Sequence, residues 1–374
     1  MIYFDNAATG GFKPRAVTDA AENVIRYLSA NPGRSGHRLS ITGAKIVNET
    51  RTSLADLFSA PNDRVIFTKN CTEALNVAIF GTLKVGGHVI TTIFEHNSVL
   101  RPLSALKNRG LIELDVISPD ENGDIYLPIF SAIKDDTYLI VTTAVSNVTG
   151  EVLPVKKIGA LCQTNNILYI VDGAQGGGHI DLSLDKDGIS MLALAGHKGL
   201  YGIMGSGALL IKDSVEVEPL IFGGTGTESM NLSQPSCYPE RLEAGTLNLP
   251  AIAALNEGVS FVAKNMSNFS SHLFSATASL IDNLKTIKNV NVFSRANASG
   301  IVAFSIDKYP STDVADILNT EYDVAVRGGL HCAPLMHGYL KTDGFGLVRA
   351  SLAVQNSARE INYFLRAIDK IAND

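Results

Sequence analysis

The chain has 374 residues, of which 45% are hydrophobic and 18% charged, and its formal net charge is −6. A chain of this length can bury a sizeable core, and its composition, with 33 glycines, is typical of an α/β enzyme with one large and one smaller domain. The acidic balance, with a pI near 5.8, and the lack of a long Lys/Arg run argue against a nucleic-acid-binding protein.

The N-terminus, MIYFDNAATGG, has no basic segment followed by an apolar one, so we expect no signal peptide. No apolar run approaches the roughly 20 residues that span a bilayer. The four cysteines follow no metal-ligand spacing and are too few for a disulfide scaffold. We therefore expect a reduced, cytoplasmic protein with no metal site and no membrane segment.

Helices surround a strand in the first part of the chain. Apolar residues at helical spacing predict a first helix over 17–28, and a second helix is expected over 39–57. The Pro/Gly loop between them, 31–37, is predicted to be an exposed connector. The strand Val65–Thr68 leads into Asn70 and Glu73, which have the spacing of a capping box. A helix that starts directly after a strand offers its free N–H groups as a phosphate seat.

Four further apolar runs predict buried strands, over 88–94, 138–144, 168–171 and 191–195. Polar residues follow the end of each run, and helical stretches lie between several of them, which indicates a mostly parallel sheet covered on both faces. Ligands of such sheets bind beyond the carboxyl ends of the strands. The residues expected to meet in one cleft are Thr72, His96, Asn147, Asp172, Gln175 and Lys198.

The second half of the chain changes character. The glycine-rich segment 220–227 lacks the third glycine of a dinucleotide loop, so we interpret it as a flexible active-site or subunit-contact loop. A long helix over 250–285, strands over 290–293 and 301–306, and helices over 312–319 and from Ser357 onward predict a smaller α+β domain. We predict a large domain over 14–255 and a small domain formed by 1–13 and 256–374.

Lys198 follows a buried strand and a glycine in the stretch LALAGHKGLYG. A lysine at the end of a buried strand is desolvated, which lowers its pKa and leaves a nucleophilic amine. The alternative is a solvated lysine in a surface turn. The other strand-end residues favour the first interpretation, because an electron-sink cofactor such as pyridoxal 5'-phosphate (PLP) needs an imine-forming lysine, an acid facing its ring nitrogen, a flat stacking group and phosphate donors.

The motifs of this chain resemble those of a known family in their order and over nearly the whole length. The matching motifs are DNAAT (5–9), NCTEALN (70–76), EHNS (95–98), SNVTG (146–150), VDGAQ (171–175), GHK (196–198), EAGT (243–246), RGGLHCA (327–333) and RASL (349–352). They resemble the class V aminotransferase-fold PLP enzymes, and most closely the cysteine desulfurases and selenocysteine lyases. The resemblance implies the type I fold of PLP-dependent transferases, with a mostly parallel seven-stranded sheet in the large domain.

The resemblance also implies a role for each matching residue. Lys198 would hold PLP covalently, Asp172 would pair with the ring nitrogen, Gln175 would bond the ring hydroxyl oxygen and His96 would stack on the ring. Further cofactor contacts would come from Cys71, Thr72, His197 and Asn147, and from Thr246 of the second subunit of a homodimer. Substrate contacts would come from Arg349 and Asn147, with Ala8, His37 and Arg327 nearby. Cys332, on a short loop of the small domain, would be the nucleophile that takes sulfur from the substrate.

The residues around Cys332 suggest why it is reactive. The glycines before it and Ala333-Pro334 after it predict an exposed loop, and Arg327 and His331 would lower its pKa if they point toward it. The chain departs from the family pattern at Ala195, Cys71 and Leu330, and Ala195 removes one phosphate donor.

The predicted function is a PLP-dependent cysteine desulfurase, which converts L-cysteine to L-alanine and leaves a persulfide on Cys332 for a possible sulfur-acceptor protein. Alternatives are a selenocysteine lyase or aminotransferase of the same fold, and a PLP-holding or sulfur-relay subunit. A nicotinamide dehydrogenase is disfavoured because the glycine fingerprint is missing.

Overall fold

The computed structural model describes residues 1–373. The strands are Ile2–Tyr3 (β1), Val65–Thr68 (β2), Gly87–Thr92 (β3), Ile112–Ile117 (β4), Thr137–Thr143 (β5), Leu168–Asp172 (β6), Met191–Ala195 (β7), Gly207–Ile211 (β8), Val290–Val292 (β9), Ile301–Ile306 (β10), Val324–Ala325 (β11), Arg327–Gly329 (β12) and Leu347–Ser351 (β13). The helices are Arg15–Tyr27 (α1), Arg38–Phe58 (α2), Cys71–Gly81 (α3), Asn97–Asn108 (α4), Tyr126–Ser131 (α5), Val155–Thr164 (α6), Leu249–Leu284 (α7), Ser311–Tyr322 (α8), Pro334–Leu340 (α9) and Ala358–Asn373 (α10).

Seven strands form the large sheet, in the order β2-β8-β7-β6-β5-β3-β4. All pairs are parallel except those of β8, which runs antiparallel to both β2 and β7. This arrangement confirms the predicted mostly parallel seven-stranded sheet. Separate apolar clusters cover its two faces, which is why its central strands are apolar along their whole length. The carboxyl ends of β3, β5, β6 and β7 therefore lie at one edge.

A second, antiparallel sheet has the order β12-β13-β10-β9 and packs against α8, α10 and the end of α7. The last helix of the chain, α10, begins with the predicted capping box. The Glu360 amide donates to Ser357 Oγ at 3.3 Å, and the Ser357 amide donates to Glu360 Oε2 at 2.7 Å. The apolar stripe of α10, including Phe364 and Ile368, is buried in this core. The predicted smaller α+β unit is thus present.

The long helix α7 links the two cores. Leu249 and Ile252 near its start pack in the cluster beside the large sheet, whereas Leu280 and Leu284 near its end pack in the cluster beside the small sheet. The predicted boundary between residues 255 and 256 falls inside this helix and remains a prediction. In the part of the chain that the structure describes, no helix combines the length and apolarity needed to cross a membrane.

Candidate active site

One cavity lies beyond the carboxyl ends of β3, β5, β6 and β7. Its lining consists of Asn70, Cys71, Thr72, His96, Ser98, Thr143, Asn147, Asp172, Ala174, Gln175, Ala195, His197 and Lys198. All six residues that were expected to meet in one cleft are in this set, which confirms that expectation. The convergence follows from the parallel strands, since their carboxyl ends meet at one edge of the sheet.

Lys198 follows β7 after a two-residue turn. A side chain at Gly196 in that turn would collide with Ser206, so the close approach requires glycine. Burial lowers the pKa of the Lys198 amine, while the nearby Asp172 charge opposes the shift. Within residues 1–373 no carboxylate lies within the 4.0 Å ion-pair distance of its Nζ atom. The amine is therefore desolvated and free to react.

Asp172 ends β6 and is 2% exposed. Its Oδ1 atom accepts hydrogen bonds from the Ala174 amide at 2.9 Å and from the Cys71 thiol at 3.4 Å. Burial and the Asp172 charge raise the pKa of Cys71 well above its usual value, so the thiol stays protonated and donates. The carboxylate is thus fixed through one oxygen, and Oδ2 is left for a cationic partner in the cavity.

His96 caps α4. Its Nδ1 atom accepts a hydrogen bond from the Ser98 amide at 3.0 Å, which assigns the proton of the neutral ring to Nε2. Burial lowers the pKa of His96 against the opposing Asp172 charge. The residue therefore provides a neutral imidazole at the cavity wall, as stacking on a ring requires.

The first turn of α3 lines the opposite end of the cavity. Asn70 caps this helix through its Oδ1 atom, which accepts from the Glu73 amide at 2.9 Å. The reciprocal contact of the predicted capping box is displaced by one residue, because Glu73 Oε2 accepts from the Lys69 amide instead. The amides of Cys71 and Thr72 have no partner inside the helix and are available for an anion.

His197 lies beside this helix end, where its Nδ1 atom is 3.1 Å from Thr9 Oγ1. Burial lowers the pKa of His197 to about 4, so it is a neutral hydrogen-bonding group.

The N-terminal segment closes another side of the cavity. The side-chain amide of Gln175 donates to the Ala7 carbonyl at 2.9 Å. Asp5 Oδ1 accepts from Arg349 at 3.0 Å, and Arg349 also donates to the Asn147 carbonyl at 3.0 Å. Burial lowers the pKa of Arg349, which is 1% exposed, and Asp5 opposes that shift. The Arg349 Nε and Asn147 Oδ1 atoms are buried without a partner in the described chain.

Cys332 lies on the short turn between β12 and α9 and is exposed, as the sequence predicts. The Asn97 amide donates to its carbonyl at 2.7 Å, and an Arg327 N–H points at its Sγ atom from 3.9 Å. His331 does not face the thiol. Its ring is buried and donates from Nε2 to the Leu347 carbonyl, so only Arg327 of the two suggested cations is placed beside Cys332.

Besides Arg327, Cys332 and Arg349, three further residues of the predicted site lie outside the cavity lining. Ala8 belongs to the segment that closes the cavity, whereas His37 is exposed and caps α2. Thr246 lines a different cavity of about 400 Å³, beside Lys69 and Glu73 at the start of α3. The 31–37 loop contacts the glycine-rich segment, since Arg34 donates to the Gly224 carbonyl at 3.3 Å. The roles of these residues, like those of the residues that line the cavity, remain predictions.

Sequence reasoning assigned no role to Asp5 or Glu95, although both fall in quoted motifs. Asp5 pairs with Arg349, and Glu95 is a fully buried carboxyl behind the cavity that accepts from Thr92 Oγ1 at 2.6 Å. Burial raises the pKa of Glu95 to about 8. A carboxylate in an apolar strand end is the signal that could have identified Glu95.

Comparison with known proteins gives one consistent result. The chain is 32% identical to a probable cysteine desulfurase from Pyrococcus abyssi and 31% identical to one from Methanothermobacter thermautotrophicus, each over 99% of this chain and 94% of the relative. The apo structure of a cysteine desulfurase from Thermococcus onnurineus matches with a TM-score of 0.90 and 30% identity, over 100% of this chain and 94% of that one. These similarities confirm the predicted type I fold. The family model for Aminotransferase class-V matches residues 2–364, and the chain therefore belongs to the class V aminotransferase family.

Proposed function

We propose that this protein is a PLP-dependent cysteine desulfurase, which converts L-cysteine to L-alanine and takes the sulfur onto Cys332 as a persulfide. The observation that carries the proposal is the placement of Cys332. Its thiol is exposed beside Arg327, and its turn is bonded to Asn97, the residue after His96, and through the His331 carbonyl to Asn147. A thiol held at the rim of a cavity with a free lysine fits sulfur transfer better than amino transfer, which needs no thiol.

The residues of the cavity fit PLP. The free Lys198 amine, the Asp172 carboxylate with one uncommitted oxygen, the neutral His96 ring and the free amides at the start of α3 match the aldehyde, ring nitrogen, ring face and phosphate of that cofactor. When bound, PLP supplies an electron sink for bond changes next to the amino carbon of the substrate. The further proposed contacts come from Gln175, His197 and Cys71.

Arg349 and Asn147 are proposed to bind the substrate carboxylate. The buried Arg349 Nε atom has no partner in residues 1–373, and Asn147 Nδ2 uses one of its two protons on the His331 carbonyl. A carboxylate beside the guanidinium satisfies Nε and accepts the second Asn147 proton. Asp5 keeps the Arg349 plane fixed for this contact.

Different residues of this chain are proposed to carry out the separate steps of the reaction. Burial lowers the pKa of Lys198, and its Nζ atom accepts the proton from the α-carbon of the substrate. The Cys332 thiolate attacks the substrate sulfur, so a sulfur–sulfur bond forms and the carbon–sulfur bond breaks. The electron pair of the broken bond stays with the β-carbon, which takes up a proton, and the α-carbon regains the proton that Lys198 removed, so the product is alanine. Arg327 lies beside the attacking sulfur, with an N–H pointing at Cys332 Sγ from 3.9 Å.

We further propose a homodimer in which Thr246 serves the cavity of the second subunit. This would account for the position of Thr246 away from the cavity of its own chain. The four free cysteines are consistent with the reducing cytoplasm. The sulfur on Cys332 would pass to an acceptor protein or thiol, since the exposed turn leaves it accessible.

The test compares Cys332→Ala with Cys237→Ala, a control at the other exposed cysteine. We expect both variants to bind PLP, and only Cys332→Ala to lose sulfide release from L-cysteine in the presence of a thiol reductant. Full sulfide release by Cys332→Ala would refute the proposed nucleophile. Alanine release from cysteine and from selenocysteine, measured side by side, separates a desulfurase from a selenocysteine lyase, and turnover by the purified protein excludes a mere relay subunit.

A further inference from the structure

The turn that carries Cys332 has an unusual backbone. His331 and Cys332 have φ angles of 50° and 58°, so two consecutive residues with side chains adopt the left-handed region. Such residues cost free energy and persist only where surrounding contacts hold them. The effect of this backbone is to separate the two side chains: His331 is 2% exposed, whereas Cys332 is exposed. The turn therefore needs an anchor on its buried side.

The imidazole of His331 supplies one anchor. Its Nε2 atom donates to the Leu347 carbonyl at 3.0 Å, and Leu347 lies on β13 two residues before Arg349. The ring packs against the ring of His337, with a distance of 5.7 Å between the centroids. Both histidines are buried. The bond thus fixes the turn to the same strand that holds the proposed carboxylate-binding arginine.

The His331 carbonyl supplies a second anchor, because it accepts from Asn147 Nδ2 at 2.7 Å. Asn147 in turn accepts from Arg349 through its own carbonyl. His331 is therefore joined by its side chain to the strand of Arg349 and by its backbone to Asn147. Cys332 directly follows it, so both anchors act on the nucleophile and the carboxylate pocket together.

His331 does not act through charge. Burial, together with the neighbouring Arg349, His337 and Arg327 charges, lowers its pKa to about 2. The ring is neutral at any pH at which the enzyme works, and its Nε2 proton is committed to Leu347. The ring is buried and bonded on the side away from the exposed thiol, which favours a geometric role.

We propose that His331 is the positioning residue of the nucleophile, which holds the left-handed turn so that Cys332 stays in register with the Arg349–Asn147 pair. The proposal rests on the function proposed above for Cys332. Loss of the His331–Leu347 hydrogen bond should first slow the sulfur-transfer step, because the carboxylate-binding atoms and the cofactor cavity are left unchanged.

The experiment uses two replacements of similar volume in the PLP-bound protein. His331→Gln keeps an N–H donor for the Leu347 carbonyl, and His331→Met fills the same space without one. His272→Gln, at an exposed histidine of α7, is the control. The readouts are the PLP absorbance, kcat and KM for sulfide release from L-cysteine, and the rate at which a bulky maleimide labels Cys332, located by mass spectrometry.

We expect His331→Met to lower kcat at least tenfold with KM changed less than about threefold, and to speed maleimide labelling at least threefold. His331→Gln should stay within about threefold of the parent in kcat and labelling. Equal losses in both variants, a kcat of His331→Met within twofold of the parent, or loss of bound PLP would overturn the proposal. Labelling measures the turn even if the parent releases no sulfide, so failure of the proposed function is recognised separately.

Discussion

Replacing Arg349 with lysine keeps a positive charge near the carboxylate pocket but removes the planar fork of donors. In the structure Arg349 donates hydrogen bonds from two nitrogens, one to Asp5 and one to the Asn147 carbonyl, and its Nε atom has no partner in residues 1–373. A lysine ammonium group cannot keep both of these contacts while it also binds a carboxylate, and it cannot form the bidentate ion pair of a guanidinium. Loss of one hydrogen bond to a charged group costs about 1.5–3 kcal/mol, which corresponds to a rise in KM for L-cysteine of about 10- to 160-fold.

The assay measures sulfide release from L-cysteine and from cysteamine, which lacks the carboxylate. The parent should prefer cysteine strongly, and Arg349→Lys should lose most of this preference while its kcat/KM for cysteamine stays within about threefold. Arg359→Lys, at an exposed position of α10, is the matched control and should behave as the parent. An unchanged cysteine preference in Arg349→Lys would refute the assignment of the carboxylate site.

Three further predictions concern other parts of the molecule. Lys198→Ala should abolish borohydride-stable PLP labelling and turnover, and persistent labelling at another lysine would contradict its role. Burial holds the pKa of His331 near 2 and that of His197 near 4, so between pH 6.5 and 4 the unfolded chain binds protons that the native state does not. Thermal stability should therefore fall as the pH is lowered from 6.5 to 4, and it should fall less steeply in His331→Gln. An unaltered slope would contradict this reasoning. Glu243→Ala leaves the Arg51 charge buried without its 2.9 Å partner, at a cost of about 3–5 kcal/mol. Combination with Arg51→Met should recover part of the lost thermal stability, and no recovery would argue against the ion pair.

The strand ends and the convergence of the site were predictable because apolar runs followed by polar residues mark the carboxyl edge of a parallel sheet. Strand β8 was not predicted, and its direction could not have been, since an apolar run such as Gly207–Ile211 gives no sign of which way it enters a sheet. Adjacency in sequence was a poor guide at His331, where the left-handed backbone turns the imidazole away from Cys332. The Asp5–Arg349 contact could not be derived from spacing, because it joins residues far apart in the chain.

That contact closes a loop of 344 residues. Closing a loop of this size costs several kcal/mol of chain entropy, about 1.5RT ln n plus a constant, and the Asp5–Arg349 contact cannot offset any of that cost before β13 exists. While a ribosome is still making the chain, Asp5, Ala7 and Thr9 have left the exit tunnel long before Arg349 has been added. The N-terminal wall of the cavity is thus complete only once β13 has been made, and loading of a cofactor into the finished pocket follows the synthesis of β13.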